Sequence, residues 1–391
     1  MFIYLAAVLV LTVGAGAQSP SEVASLLDIK KGLTSSAALD SWQDASSPCS
    51  FFGVTCNPDG SVIELQLNSS GLAGPVSWAP LAQLPNLQVL NLFNNSLTGQ
   101  LSNPLPPALT FLSLSKNQIS GTIPENLVLP GTLVELWVAY NQLEGSIPSG
   151  LKLPAGLKAL SLFANALSGP LPTGLQLPSS LSMLDFSGNQ LDGSISADWA
   201  LPDSLVEVWL DTNKLSGPLP ALKLPASLEL LSLHDNQLSG DLPTLTLNVA
   251  LRQISMHNNA FTGALPKWGF PANFTGLFLK NNSFSGTIPA DWSFPDALQY
   301  LHLANNRLEG TFPATWDYPL SLKELSFDNN KLSGPLPSWP MLPDATVYAL
   351  PQQLGSMFCG TVPAAPNYLI DTKDATGEQK WMRISSLPAC T

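Results

Sequence analysis

The chain is 391 residues long, with 45% hydrophobic and only 11% charged residues, where an ordinary soluble domain carries about 25% charged. That composition excludes a fully disordered chain. Its 28 Gly and 35 Pro, about one residue in six, demand many turns and exclude a mostly helical protein. With 16 basic and 28 acidic residues the formal charge is −12, the wrong sign for a nucleic-acid or anionic-membrane partner.

Met1 to Val13 is an apolar run, and Ala15-Gly16-Ala17 after it has the small-x-small pattern of a signal-peptidase site. Residues 1–17 therefore read as a cleaved signal peptide. The run has no Lys or Arg before it, so an uncleaved anchor is the alternative reading. No later apolar stretch reaches spanning length. The expected location is secreted, in the extracellular space or the cell wall, without direct membrane insertion. The four cysteines fall into two groups, Cys49 with Cys56 and Cys359 with Cys390, which in an oxidising compartment suggests two local disulfides. A single Cys₄ zinc site is the rival, disfavoured because the groups stand at opposite ends of the repeats described next. Asn68, Asn94, Asn273 and Asn281 head Asn-x-Ser/Thr glycosylation triplets.

One period organises almost everything between. Asn95, Asn117, Asn141, Asn165, Asn189, Asn213, Asn236, Asn259, Asn282, Asn306 and Asn330 recur at spacings of 22 to 24 residues. Each follows a Leu-x-Leu-like triplet and precedes a Gly by four residues; an earlier rung, Leu65-Gln66-Leu67, has Ser70 at the Asn position. Alternation puts the triplet's leucines on one side of a short strand and its other residues on the opposite side. Repetition predicts a stacked parallel sheet. The Asn amide can donate and accept at once where the chain leaves the strand, so the column predicts an asparagine ladder that satisfies buried backbone groups. Gly suits a turn with positive φ, and Pro, three residues further on in nine rungs, suits an extended segment that can spare its N–H. No single repeat buries its own apolar face, so stability must come from stacking neighbours.

The unit L-x-x-L-x-L-x-x-N-x-L-x-G-x-I/L-P resembles the plant-type extracellular leucine-rich repeat proteins, a group that includes receptor-like kinases, receptor-like proteins and polygalacturonase-inhibiting proteins. The likeness extends to Leu39-Asp40-Ser41-Trp42 and to Pro48-Cys49-Ser50-Phe51-Phe52-Gly53-Val54-Thr55-Cys56, similar to the family's N-terminal cap with its C-x-W-x-G-V-x-C signature, with Phe51, followed by Phe52, where Trp is usual. Phe358-Cys359-Gly360-Thr361-Val362-Pro363 with Cys390 is similar to its closing element, though the two cysteines stand unusually far apart. The resemblance implies an α/β solenoid, a right-handed superhelix of about 12 repeats with a parallel concave sheet and disulfide-bonded caps. The implied organisation is a signal peptide at 1–17, an N-terminal cap at 18–60, repeats at 61–340 and a C-terminal cap at 341–391. Ser19-Pro20-Ser21-Glu22 reads as a capping box opening a helix whose Val23, Leu26 and Leu27 face the core.

No kinase motif, H-E-x-x-H, G-x-S-x-G or Walker loop occurs, so no enzymatic activity and no cofactor is expected. The concave face is the expected working surface. Four residues before each ladder Asn stand Gln66, Asn91, Ser113, Trp137, Ser161, Asp185, Trp209, Ser232, Ser255, Phe278, His302 and Ser326. Large aromatics on such a small, polar background are interface anchors, so Trp137, Tyr140, Trp209 and Phe278 are the leading ligand-binding candidates, with Phe93 and Phe163 behind them. A competing reading has each aromatic simply covering its neighbours on adjacent rungs.

Two residues before the ladder Asn, Asp211, His234, His257 and Lys280 fall on four consecutive rungs, neighbours about 4.8 Å apart. With His302 they read as a row for a polar or acidic ligand. Two histidines at that spacing are also able to share a metal, with Asp211 or Asp235 as oxygen ligand; a solvated polar stripe is the preferred alternative, and no metal is assigned. Asp185, Glu207 and Asp211 on adjacent rungs resemble the carboxylate pairs of glycan hydrolysis, but nothing in the sequence fixes their separation. Trp199, Trp292 and Trp316 replace core leucines six residues after the motif Gly and read as packing on the convex side. The expected function is a secreted recognition module binding a protein, peptide or glycan on its concave face, with a membrane receptor kinase or a cell-wall hydrolase as candidate partner. The alternatives are an inhibitor of an extracellular cell-wall hydrolase and a structural wall protein.

Overall fold

A computed structural model describes residues 20–34, 37–44, 46–313, 316, 319–335, 345–350, 352, 358–359, 367–373, 379–383 and 387. The expected signal peptide at 1–17 and Cys390 lie outside the described residues. The chain forms two compact units, residues 1–142 and 143–391.

The first unit opens with helix α1, Pro20–Gly32. Val23, Leu26 and Ile29 are its buried apolar positions, with Leu27 half-buried, so the core-facing stripe includes Ile29 in addition to the expected pair. Glu22 departs from the expected capping box. Its side chain is 2% exposed, and its carboxylate accepts the N–H of Val62 at 3.2 Å, 40 residues away, which ties the helix to the first rung of the sheet. Trp42, 1% exposed, stacks on Phe51 at 5.7 Å and donates its indole N–H to the carbonyl of Phe52. Phe51 is the buried member of the Phe-Phe pair and Phe52 the exposed one. The Cys49–Cys56 disulfide is formed. Strand Val54–Cys56 runs antiparallel to Val62–Gln66, and from there Val89–Asn91, Phe111–Ser113 and Glu135–Trp137 add in parallel.

In the second unit, eight three-residue strands from Ala159–Ser161 to Glu324–Ser326 stack in parallel without a register shift, so Ser161, Asp185, Trp209, Ser232, Ser255, Phe278, His302 and Ser326 form one column. Leucines such as Leu184, Leu231, Leu277 and Leu325 point the other way into the core. The ladder is formed. Asn213, for example, accepts the N–H of Leu191 and donates to the carbonyls of Phe186, Leu210 and Asp211. The residue before each ladder Asn takes positive φ in the left-handed region, as at Asp235, Asn258, Asn281, Asn305 and Asn329; Asn and Asp tolerate this conformation best among non-glycines. The motif glycines also have positive φ, from Gly169 at 79° to Gly334 at 85°.

The parallel sheet continues past the last Asn-bearing rung. Thr346–Leu350 pairs with Glu324–Ser326, Asn367–Lys373 follows in parallel, and Gln379–Arg383 closes the edge in antiparallel orientation. Cys359 is disulfide-bonded. Trp199, Trp292 and Trp316 are buried, the packing role expected of them, and Trp78 and Trp268 are buried as well. Trp292 and Trp316 stack at 5.9 Å and donate to the carbonyls of Pro266 and Pro289.

Candidate functional site

The open face of each parallel sheet, opposite the leucines, carries the candidate residues. In the first unit Trp137 donates its indole N–H to the Glu135 carboxylate at 2.9 Å. Lys116 lies 5.5 Å from the Phe93 ring and 5.6 Å from the Tyr140 ring, within cation–π range of both. Tyr140 has φ 52°, which swings it off the strand, and it is 49% exposed. Phe93, Phe111, Glu135 and Trp137 line an open depression of about 400 Å³.

In the second unit Trp209 repeats the same device, donating to Glu207 at 3.1 Å. From Asp211 onward the polar row becomes a chain of contacts. His234 Nε2 is 3.5 Å from Asp211 Oδ2, and its Nδ1 is 2.7 Å from Asp235 Oδ2. The rings of His234 and His257 stack at 4.3 Å and 13°. Phe278 packs against His257 at 6.4 Å and edge-on to His302 at 4.9 Å. His302 Nε2 lies 3.1 Å from Glu324 Oε1. Beyond it a polar cavity of about 400 Å³ is lined by Lys280, His302, Glu324, Ser326, Asp328 and Tyr348, among others. Phe278 also stacks on Tyr300 at 6.1 Å.

Burial, then the neighbouring His234 and Lys280, holds the His257 imidazole down at about 4, so it is neutral at ordinary pH. Burial works against ionisation of Asp235, but the hydrogen bonds from Asn258 and His234 prevail and hold its carboxyl below the usual range. The His302 ring beside Glu324 lowers that carboxyl in the same way. Burial raises Asp185, against hydrogen bonds from Ser187 and Ser161.

The second unit thus brings Asp211, His234, His257, Phe278 and His302 into one contact sequence, with Lys280 on the rim of the cavity. Trp137 and Tyr140 belong to the first unit and its separate aromatic patch. Asp185, Glu207 and Asp211 are not arranged as a free acid/base set. Asp185 accepts from Ser161 and Ser187, and Glu207 is bonded to the Trp209 indole. Sequence reading passed over Glu324 and Tyr300, at the start of each strand, and Tyr348, on a rung that has no ladder Asn. The two-residue strand alternation was a signal sufficient to find the first two. Asn68, Asn94, Asn273 and Asn281 are all exposed.

Residues 19–57 match the family described as leucine rich repeat N-terminal domain, and residues 86–107, 108–128, 297–318 and 321–341 match leucine rich repeats. These matches, with the stacked strands and the asparagine ladder, make the described body a leucine-rich repeat solenoid similar to those of plant receptor ectodomains. It is similar to Receptor-like protein kinase 7 of Arabidopsis thaliana, with 37% identity over 113 residues, 27% of this chain and 12% of that protein. Among solved structures it is similar to the plant peptide hormone receptor RGFR1 in complex with RGF2, with 28% identity and a TM-score of 0.64 over 74% of this chain and 47% of the other. It is also similar to a plant ice-binding protein, at 26% identity and a TM-score of 0.57 over 76% of this chain and 89% of that one. The chain therefore spans about an eighth of that kinase and about half of the hormone receptor chain. Homologous receptor ectodomains are extracellular, and among the described residues no helix is long and apolar enough to cross a membrane.

Proposed function

We propose that the protein is a secreted, non-catalytic recognition module that binds an extracellular peptide along the open face of residues 143–391. The observation that carries this reading is the unbroken sequence of side-chain contacts from Asp211 through His234, His257 and Phe278 to His302 and Glu324, ending at the polar cavity. Six successive rungs offer mainly polar contacts, with Phe278 and Trp209 as the apolar ones, at the regular strand spacing, which suits an extended chain laid across the strands. Phe278 and Trp209 serve as anchors. His234, His257, His302 and Lys280 with Asp211 supply the polar contacts, and the cavity takes a side chain that presents both donors and acceptors. The similarity to a peptide hormone receptor supports a peptide over a glycan. The ice-binding neighbour shows that one fold carries unrelated ligands, so the side chains of the open face, more than the fold, select the ligand. Trp137 and Tyr140 of the first unit form a second contact surface, suited to a larger protein partner such as a receptor kinase.

Immobilised protein exposed to extracellular fluid of the producing organism is expected to retain a peptide, and protease treatment of the fluid is expected to abolish capture. Retention of an active cell-wall hydrolase whose activity falls on binding would replace this reading with that of an inhibitor. Protease-resistant retention of wall polysaccharide would replace it with a structural role.

A further inference from the structure

Asp211, His234, Asp235 and His257 form a cluster whose chemistry is more specific than peptide recognition requires. We propose that His234, Asp235 and His257 bind one divalent first-row transition-metal ion, with Zn²⁺ the expected occupant, and that Asp211, Ser255 and Asn258 orient these ligands from outside. One donor atom from each of the three lies within 4.8 Å of the others. A tetrahedral zinc with bonds of about 2.0–2.2 Å spaces its ligands about 3.3 Å apart, so closure asks each side-chain end to move by about an ångström. The set of two imidazoles and a carboxylate suits Zn²⁺ and its neighbours in the series better than Mg²⁺ or Ca²⁺.

An ion binds in the plane of each imidazole, so the His234 and His257 rings, stacked at 4.3 Å and 13°, tilt to share it, and their surroundings favour the nitrogens it needs. Asp211 Oδ2, 3.5 Å from His234 Nε2, is placed to accept that N–H, and a bound ion would replace the proton between His234 Nδ1 and Asp235 Oδ2. Ser255 Oγ lies 3.0 Å from His257 Nδ1, which leaves Nε2 as that ring's free donor. Asn258 donates to Asp235 Oδ1 at 2.6 Å and fixes the carboxylate. Such carboxylate–histidine–metal relays are the usual second layer of zinc sites.

A second observation is independent of the ligand geometry. Asp211 is 8% exposed, and its Oδ1 is buried without a hydrogen-bond partner. Its other oxygen, Oδ2, takes the Thr212 hydroxyl and His234 Nε2, and a buried carboxylate oxygen left without a hydrogen bond is costly unless a nearby cation compensates it. Two carboxylates, Asp211 and Asp235, face two imidazoles with Lys280 as the neighbouring cation on the row, and a divalent ion supplies the charge that the cluster lacks. Three protein ligands leave a fourth position open toward the face of the sheet for water or a ligand carboxylate. The sequence reading offered Asp211 or Asp235 as oxygen ligand but preferred a solvated polar stripe; the structure sets Asp235 Oδ2 2.7 Å from His234 Nδ1.

The test uses the full chain, stripped with a chelator, and Zn²⁺ alone as the probe, so it does not depend on the peptide reading. Calorimetric titration at pH 7 is expected to give one ion per chain. His234→Gln and His257→Gln are expected to weaken binding by about 100-fold or more and Asp211→Asn by about 10–100-fold, while His302→Gln leaves it unchanged. Zn²⁺ is expected to raise the melting temperature of the parent but not of the His234→Gln, His257→Gln double variant. A variant-free measurement keeps the proposal falsifiable if these proteins fold poorly. The chain has 3 histidines, and Zn²⁺ is expected to shift the imidazole nitrogen resonances of His234 and His257 and leave His302 in place. No binding, equal binding by the double variant, or a shift confined to His302 would overturn the proposal.

Discussion

Gln352 stands 22 residues after Asn330 and makes the same kind of bonds one rung further on. Asn330 accepts the N–H of Leu308 and donates to the carbonyls of Leu303, Phe327 and Asp328. Gln352 accepts the N–H of Leu332 at 3.1 Å and donates to the carbonyls of Phe327 and Ala349. The ladder therefore extends into the C-terminal region with a longer amide. Asn330 has no exposed surface, so Asn330→Ala strands at least three buried backbone groups and is expected to cost about 2–4 kcal/mol. Gln352→Ala, at a half-buried position, is expected to cost about 1–2 kcal/mol. Urea denaturation of the two variants checks the ranking, and equal or smaller loss at Asn330 contradicts it.

Glu22 should give the N-terminal cap a distinctive pH response. Burial raises its carboxyl above 4.5, only partly offset by the N–H of Val62. A raised carboxyl means that the folded state holds the proton more tightly than the unfolded one. Stability from this group is thus greatest below pH 4.5 and declines as pH climbs through the raised folded value. Glu22→Gln keeps the shape and an acceptor but removes the titration. The urea midpoint of the parent relative to Glu22→Gln is expected to fall between pH 4 and 7; a constant difference would contradict the assignment.

His257 has the opposite sign. Its folded value of about 4 lies below the ordinary 6.5 because of burial first and His234 second, so folding favours the neutral ring. Its contribution is complete above pH 6.5 and is lost as pH falls toward 4, a loss of up to about 3 kcal/mol. Asp235 and Glu324, both lowered, retain their contributions above about 3.8 and 4.5 and lose them only at lower pH. His257→Phe is expected to flatten the stability profile between pH 6.5 and 4 and leave the steeper acid limb. A profile unchanged by the substitution would show that the ring titrates normally.

On the side away from the open face, Trp292 is 4% exposed, stacked on Trp316 and edge-on to Phe270, with its N–H bonded to the carbonyl of Pro266. Trp292→Ala is expected to cost about 3–5 kcal/mol. Trp292→Leu, the residue type that other repeats carry there, should recover part of this, and its thermal melt against that of Trp292→Ala measures how much.

What was legible in the sequence was whatever repeated. The Leu, Asn and Gly columns predicted strand, ladder and turn because each repeat faces the same packing problem, and Asn213 and Gly310 behave as their columns require. Single departures were opaque. Gln352 hides the next rung behind a different amide, and Val347 and Ala349 stand there for leucines. Glu22 reads locally as a capping residue, whereas its partner lies 40 residues away. The row Asp211, His234, His257 and Lys280 was visible by counting, but the contacts of Asp235 and Glu324 with it depend on turn conformation and on a different strand position.

The central claim is that a ligand lies along the open face of the second unit between Asp211 and Tyr348. The most direct measurement compares binding of the captured peptide by the parent and by Phe278→Ala combined with Lys280→Glu, with both melting curves recorded. Both side chains are only partly buried, so folding should be nearly preserved, while loss of the anchor and reversal of the charge should weaken binding by about 100-fold. Unchanged affinity in a variant that melts like the parent would place the ligand elsewhere on the molecule.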